Sequence, residues 1–501
     1  MSSRTRFFIN GAWMTFTSLA VRTVGIIFAS YISGVAMAEG LGLFTLIMTV
    51  FSFAATLATA GTSLSVTRLV AGIIGEGRES PARILRGAFL YALFFGGAAT
   101  LGLLLLCQPL CLHVLKDMRA LTPLRTLAFS LLPAALSSVI AGYFVGVRRV
   151  GYNGALGVFS QVFRVFVTVL LLRRAEGVAE VVSALCLGIT LSDIAVFAFS
   201  SVLYLLSSVS HRRGRGVSIR PVAGMALPIA VSAYIRSILL SVEHNLIPRG
   251  LERRGESHSE ALASYGLLHG MALPVLTYPM ALISSFAGLL VPEFAEELAK
   301  GGSDRMKRIA SLSLGTTASF GAVCSVLIYL FSEELGYLIY DSFGAGYYIA
   351  FLSPVVTVMY LDHITDSILK GIGEQVYSMV VNIADAALSV LLVLILIPLM
   401  GISGYAVVIL AMELFNFTLS FLRLKKRINP TFSVFRTLLL PSACAILSAC
   451  LTRALFSVAG MGVTPAILIT ELVFTLCSTY LLYRVFSVFL SLRRGRFVKT
   501  D

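Results

Sequence analysis

Two apolar runs in the middle of the chain hold residues that an apolar run does not need. The stretch 221–246 carries Arg236, Glu243, His244 and Asn245, and the stretch 261–290 carries His269 with Pro274 and Pro279. A guanidinium is a planar fork of N–H donors that matches phosphate oxygens in pairs. A carboxylate or imidazole in a dry setting can couple a moving ion to a moving substrate. At mid-bilayer an ionisable side chain costs about 2.5–3.5 kcal/mol on insertion scales, so such groups face a polar interior and mark a pathway. These helices are therefore expected to line a water-filled cavity that receives an anionic, lipid-borne substrate.

The first half of the chain repeats the theme. Arg22 lies about 24 Å along its helix from Arg6, past the midplane of a bilayer. Gly11, Thr15, Ser18, Arg22 and Gly25 recur on its face, a stripe that serves a cavity or a close helix contact. Arg164 sits well inside the fifth apolar run and needs a polar neighbour. Arg68 stands near a helix end, where its stem can snorkel to the interface. Arg236 shares a face with Ser232 and Glu243, which suits either phosphate contact or an ion pair. Three unpaired mid-helix arginines cost on the order of 8–10 kcal/mol, so solvation or pairing must offset most of that. The expected substrate-binding set is Arg22, Arg68, Arg164, Arg236 and Ser18. The coupling candidates are Glu243, His244, Asp193 and His269. Asp362, Asp366 and Lys370 follow helical spacing beside His363 and read as an ion-pair ladder rather than a metal or proton site. Asn382 with Asp385, and Glu413 with Asn416, are expected to join neighbouring helices. No metal site is expected.

The elements that position these residues follow from composition. Apolar residues make up 57% of the 501, charged residues 13%, and the mean hydropathy is +0.90. That describes an all-α polytopic membrane protein. About fourteen runs reach the roughly 20 residues that a bilayer core requires. The connections are short and polar. MSSRTRFFINGAW reads as the start of the first span, left uncleaved. With the N-terminus placed inside, Lys and Arg favour the inner loops roughly three to one, which also places the C-terminus inside. The same bias explains the net charge of +14 without any nucleic-acid partner.

The basic loop HRRGRGVSIR (211–220) reads as a junction. Arg22 follows Arg6 by the same interval as Arg236 follows Arg220. The expected organisation is a six-helix lobe over 1–219, a second over 220–427, and a C-terminal helix pair with a basic tail over 428–501. The seven cysteines fall in or beside apolar runs and read as small core residues. No P-loop, dinucleotide fingerprint, H-E-x-x-H or Gly-x-Ser-x-Gly motif occurs, which argues against ATP hydrolysis and the common hydrolases.

Three runs carry a resemblance: AEGLGLFTLIMTVFSFAATLATAGTSLSVTRLVA (38–71), SYGLLHGMALPVLTYPMALISSFAGLLVPEFAEELAKG (264–301) and ILKGIGEQVYSMVVNIADAALSVLLVLILIPLMGISGYAV (368–407). In order and spacing they resemble the polysaccharide-biosynthesis flippases, in the stage V sporulation protein B and MurJ-type branch of the multidrug/oligosaccharidyl-lipid/polysaccharide (MOP) superfamily. The resemblance implies two six-helix lobes around a central cavity and alternating access in a bacterial plasma membrane. It implies export of an undecaprenyl-pyrophosphate-linked saccharide, such as a peptidoglycan precursor, with a role in cell-wall synthesis or sporulation. The positions that match the family's cavity arginines are Arg22, Arg68 and Arg236. Glu243, in SVEHNLIPRGL, stands where relatives tend to carry aspartate. No enzyme activity or cofactor is implied. H+, Na+ or the membrane potential is the expected drive, and a monomer is the expected state. A cation-coupled multidrug exporter of the same superfamily is the alternative, and a membrane-embedded glycan polymerase or ligase a more distant one.

Overall fold

A chain this apolar must satisfy its backbone polar groups internally, and helices do that within one segment. The computed structural model describes residues 3–76, 81–147, 149–206, 218–299, 302–431, 433–458 and 465–497, and among them there is no strand. The protein is an all-α, multi-pass membrane protein. In chain order the helices are α1 (Ser3–Thr59), α2 (Thr62–Glu76), α3 (Pro81–Pro109), α4 (Leu121–Gly146), α5 (Val150–Leu172), α6 (Val178–Leu206), α7 (Arg220–Arg253) and α8 (His258–Tyr265). After them come α9 (Leu273–Thr277), α10 (Met280–Ala299), α11 (Ser303–Leu330), α12 (Ser332–Tyr340), α13 (Phe343–Leu352) and α14 (Val355–Gly371). The last are α15 (Gln375–Met400), α16 (Ile402–Arg427), α17 (Leu440–Val458) and α18 (Pro465–Phe497).

Among the described residues ten helices are long and apolar enough to cross a membrane, or up to 13 if each bent pair is one span. The expected spans differ from these where the backbone breaks. The run 221–246 bends by 42° between Leu227 and Ala230, where the sequence has Pro228. The run 261–290 bends by 59° between Thr277 and Met280, and Pro279 lies in the gap. A third bend, of 56°, falls at Ser353–Pro354. Proline lacks the N–H that would continue the ladder, so each of these is a local consequence of sequence. Conversely, two expected spans, 7–33 and 42–70, are linked through α1. That helix is interrupted only at Met37, which takes φ 55 and ψ 178.

The chain divides into two compact units, residues 1–270 with 386–405, and residues 271–385 with 406–501. In the first, α4 is the centre. Leu124, Leu127, Leu131, Val139 and Phe144 have no exposure, and α4 packs against α2, α3 and α6. Helix α7 runs antiparallel to the later half of α1. Tyr234 Oη donates to the Leu57 carbonyl at 3.2 Å, and Ser241 Oγ to the Thr49 carbonyl at 3.3 Å. In the second unit α14 packs against α10 and α11, around Phe294, Leu314 and Ile364. Helices α17 and α18 pair there, with Ser448 Oγ donating to Ser478 Oγ at 2.7 Å.

The crossing of α1 with α8 depends on absent side chains. A Cβ on Gly42 would lie 1.9 Å from the Leu262 carbonyl oxygen, and one on Gly266 would lie 2.1 Å from that of Ala38. Backbone atoms cannot step aside as a flexible side-chain end can. Gly42→Val is therefore expected to force the two helices apart at a cost of about 1–3 kcal/mol. Thermal unfolding in detergent should show a clear drop for Gly42→Val and little change for Gly97→Val, because a Cβ at Gly97 meets nothing within 4 Å.

Candidate functional site

The widened turn at Gly266–Ala272 is a π-helix. Such turns recur at functional sites because the extra residue re-aims a side chain. Here it presents His269 to a buried polar cluster within the first unit. His269 Nε2 is 2.9 Å from Tyr405 Oη, and the two rings stack with centroids 5.3 Å apart. The His244 ring meets His269 edge to face at 4.5 Å, and His244 Nδ1 is 2.9 Å from Tyr265 Oη. Ser389 Oγ donates to Glu243 Oε1 at 2.7 Å, and Tyr405 lies close enough to feel the charge of this carboxylate. Tyr265, Tyr405 and Glu243 are all buried.

In the His269–Tyr405 pair either ring can supply the proton, according to the imidazole tautomer. Ser389 with Glu243, and Tyr405 with His269, thus form two neighbouring hydrogen-bonded pairs, and His244 with Tyr265 forms a third against His269. Asn245, next in sequence, donates to the Ser241 carbonyl at 2.7 Å. Its buried Oδ1 has no hydrogen-bond partner among the described residues. A buried carboxylate in such a setting can take up and release a proton through its neighbours without a large rearrangement. Among the described residues no three His, Cys, Asp or Glu side chains are placed to hold a metal ion.

Three of the four coupling candidates, Glu243, His244 and His269, are therefore in one cluster. The fourth, Asp193 on α6, lies elsewhere in the same unit and interacts electrostatically with Arg164 on α5. The buried Arg164 Nε has no hydrogen-bond partner among the described residues. Arg164 thus has a carboxylate near enough to feel its charge.

The other arginines are more open. Arg236 on α7 and Arg68 on α2 are exposed. Val231, Ile235, Ile238 and Val242 form an exposed apolar stripe on α7. Arg236, with Ser232 and Glu243, is centred roughly 110–130° round the helix from that stripe, by 3.6 residues per turn. Arg236 therefore does not share the face that suits lipid tails. Arg68 stands apart from it. Gly61 abuts Ala226, and the two arginines lie on opposite sides of that contact, about 25 Å apart along the antiparallel helices. Ser18 and Arg22 belong to α1, but their side chains lie outside the described residues.

Sequence reading missed Tyr265, Ser389 and Tyr405. Tyr265 was within reach, because it precedes His269 by one helical turn. Tyr405 and Ser389 join the cluster only through tertiary packing. The ladder on α14 is present, with Lys370 Nζ 2.5 Å from Asp366. Asn382 and Asn416 do meet across α15 and α16, at 3.5 Å. Among the cysteines, Cys450 and Cys477 are exposed rather than core, and all seven are free thiols.

A second polar group links the ends of several helices in the first unit. Arg119 binds Asp117 through Nε at 2.9 Å and Nη2 at 2.7 Å, and its Nη1 is 2.7 Å from Glu39. His258 Nε2 is 3.2 Å from Asp117, and His258 Nδ1 is 2.6 Å from Glu252. Burial by itself pushes the Asp117 carboxyl up. Hydrogen bonds from the Arg119 side chain and backbone, with the charges of Arg119 and His258, outweigh burial and hold the carboxyl below its ordinary range. A depressed carboxyl gives its full stabilisation above the unfolded value of about 3.9 and loses it as pH falls toward the folded value. Acidification from pH 5 to pH 3 is thus expected to lower the unfolding temperature of the native protein more than that of Asp117→Asn. Equal losses in the two would show that this carboxylate carries no such linkage.

In fold the protein resembles solved membrane transporters. Over 97% of this chain and 99% of the other, the structure resembles the lipid II flippase MurJ in an inward closed conformation, with TM-score 0.72 and 13% identity. It also resembles an inward-facing multidrug resistance MATE family transporter of the MOP superfamily, with TM-score 0.65 and 14% identity over 83% of this chain and 98% of that one. No family model matches the chain. By sequence it is 24% identical over 395 residues to stage V sporulation protein B of Bacillus subtilis (strain 168), covering 74% of each chain. It is 22% identical over 326 residues to sporulation protein YkvU of the same organism, covering 63% of this chain and 71% of that one. Sequence and fold together fit the stage V sporulation protein B-like, MurJ-like branch that the three apolar runs resemble.

Proposed function

We propose that the protein is a flippase that moves an undecaprenyl-pyrophosphate-linked saccharide from the inner to the outer leaflet by alternating access. The observation that carries this reading is Arg236. It is exposed on α7, off the apolar stripe and on the same face as buried Glu243. A guanidinium so placed offers a diphosphate a bidentate partner. In this reading both termini are cytoplasmic, as loop charge implies. Two six-helix lobes, 1–219 and 220–427, alternate their access, and the pair beyond 428 accompanies the lipid tail. The protein works as a monomer, and a proton taken up at Glu243 drives the cycle. The test is to load proteoliposomes with a polyprenyl-pyrophosphate-linked saccharide and follow its appearance in the opposite leaflet. Protein-dependent appearance supports the reading, and its absence from well-folded protein overturns it.

A cation-coupled exporter is the second reading, favoured by the buried carboxylate of Glu243 and by the MATE likeness of the fold. Purified protein that binds organic cations but no pyrophosphoryl lipid would favour it. A glycan polymerase fares worse. Helix α7 continues to Arg253 and α8 begins at His258, so the connection between them is too short to hold an acceptor.

A further inference from the structure

Arg119 has more donors than its ion pairs use. A guanidinium carries five N–H groups, and three of them are directed to Asp117 and Glu39. Arg119 also lines a cavity of about 570 Å³ between the ends of α4, α5 and α6, all within the first unit. That volume lies inside the range of about 300–1,000 Å³ typical of small-molecule sites. Its polar lining is Arg119, Thr122, Thr126, Arg174, Glu180 and Ser183. Arg174 has no carboxylate partner among the described residues. The hydroxyls of Thr126 and Ser183 donate to carbonyls of their own helices, at 2.9 Å and 2.7 Å. Each hydroxyl oxygen keeps lone pairs with which to accept. The Glu180 carboxylate accepts from the Glu176 N–H at 2.8 Å and keeps further lone pairs.

This lining selects against two ligand classes. A bare anion would meet Glu180, with Asp117 and Glu39 close behind Arg119. An apolar chain would strip water from two guanidiniums. A polyol meets donors and acceptors in alternation, as its own hydroxyls require. Small Ala175, Ala179 and Ala184 leave the floor open. We propose that this cavity is a saccharide-binding site, separate from the Arg236 face, that takes an uncharged mono- or disaccharide. The inference rests on the flippase reading only for its place in the cycle. Loop charge sets this end of the helices outside, so the site receives the glycan headgroup as it is delivered. A sugar hydroxyl bound to Arg119 uses the N–H groups that Asp117 and Glu39 leave free, so occupancy keeps the ion pairs between α1 and the start of α4 in place.

The test uses full-length protein in nanodiscs and a lipid-free, uncharged hexosamine disaccharide, read by saturation-transfer NMR and titration. Binding in the native protein is expected to weaken at least tenfold in Ala179→Trp, which fills the cavity. It should weaken severalfold in Arg174→Gln, an exposed change that spares the fold, and persist in Arg236→Ala. Inorganic pyrophosphate should not displace the sugar. No binding by the native protein overturns the proposal, as does unchanged binding in Ala179→Trp or displacement by pyrophosphate. If lipid transport fails while the disaccharide still binds in this pattern, the flippase reading falls and the saccharide site stands.

Discussion

Glu243→Gln should abolish driven transport while leaving the fold in place. Glutamine keeps the shape of the side chain and can still accept from Ser389, but it cannot take up a proton. In proteoliposomes with an imposed pH gradient, the rate is expected to drop at least tenfold, and its dependence on the gradient should vanish. Glu243→Ala is a different experiment. It leaves the Ser389 hydroxyl buried without its acceptor, at about 1–3 kcal/mol, so the protein should lose stability as well as transport. His269→Phe separates the two effects. It preserves an aromatic ring against Tyr405 but removes the ring nitrogen that shares a hydrogen bond with the Tyr405 hydroxyl. Its transport should become slow, with a shifted pH profile. Native rates and an unaltered response to the gradient in Glu243→Gln would end the assignment of coupling to this carboxylate.

Arg236→Ala carries the second large effect. A charge-assisted hydrogen bond is worth about 1.5–3 kcal/mol, so affinity for a pyrophosphoryl lipid should weaken on the order of 10- to 100-fold. Stability should hardly change, because the side chain is exposed. Arg236→Lys is expected to recover part of the affinity as a point charge without the planar fork. Arg164→Ala should behave in the opposite way. Removing it leaves Asp193 without its compensating charge, so stability should suffer more than binding. Binding isotherms beside unfolding curves for the three variants decide the matter. Equal affinity for native protein and Arg236→Ala would remove the main support for an anionic substrate.

The two polar groups of the first unit were unequally legible. Class is written in composition and run length, because a bilayer leaves a chain few options. Glu243, His244 and His269 stood out for the same reason, as polar residues inside apolar runs. Their union with Tyr405 and Ser389 did not, because those two approach through a later part of the chain. The bends at Pro279 and Pro354 were present in the sequence, but residue counting treats a broken helix as a single span. Arg119 was the largest omission. It was counted only as a loop charge, although the pair Asp117 and Arg119 already forms a local ion clasp. Only the fold shows that Glu39 and His258 complete it.

Met37 gives that clasp a mechanical meaning. A methionine at φ 55 occupies backbone space that costs on the order of 1–3 kcal/mol, and Glu39, two residues on, is tethered by Arg119. The first helix therefore carries local strain beside the point at which it is anchored, and the anchor opposes relaxation of that strain.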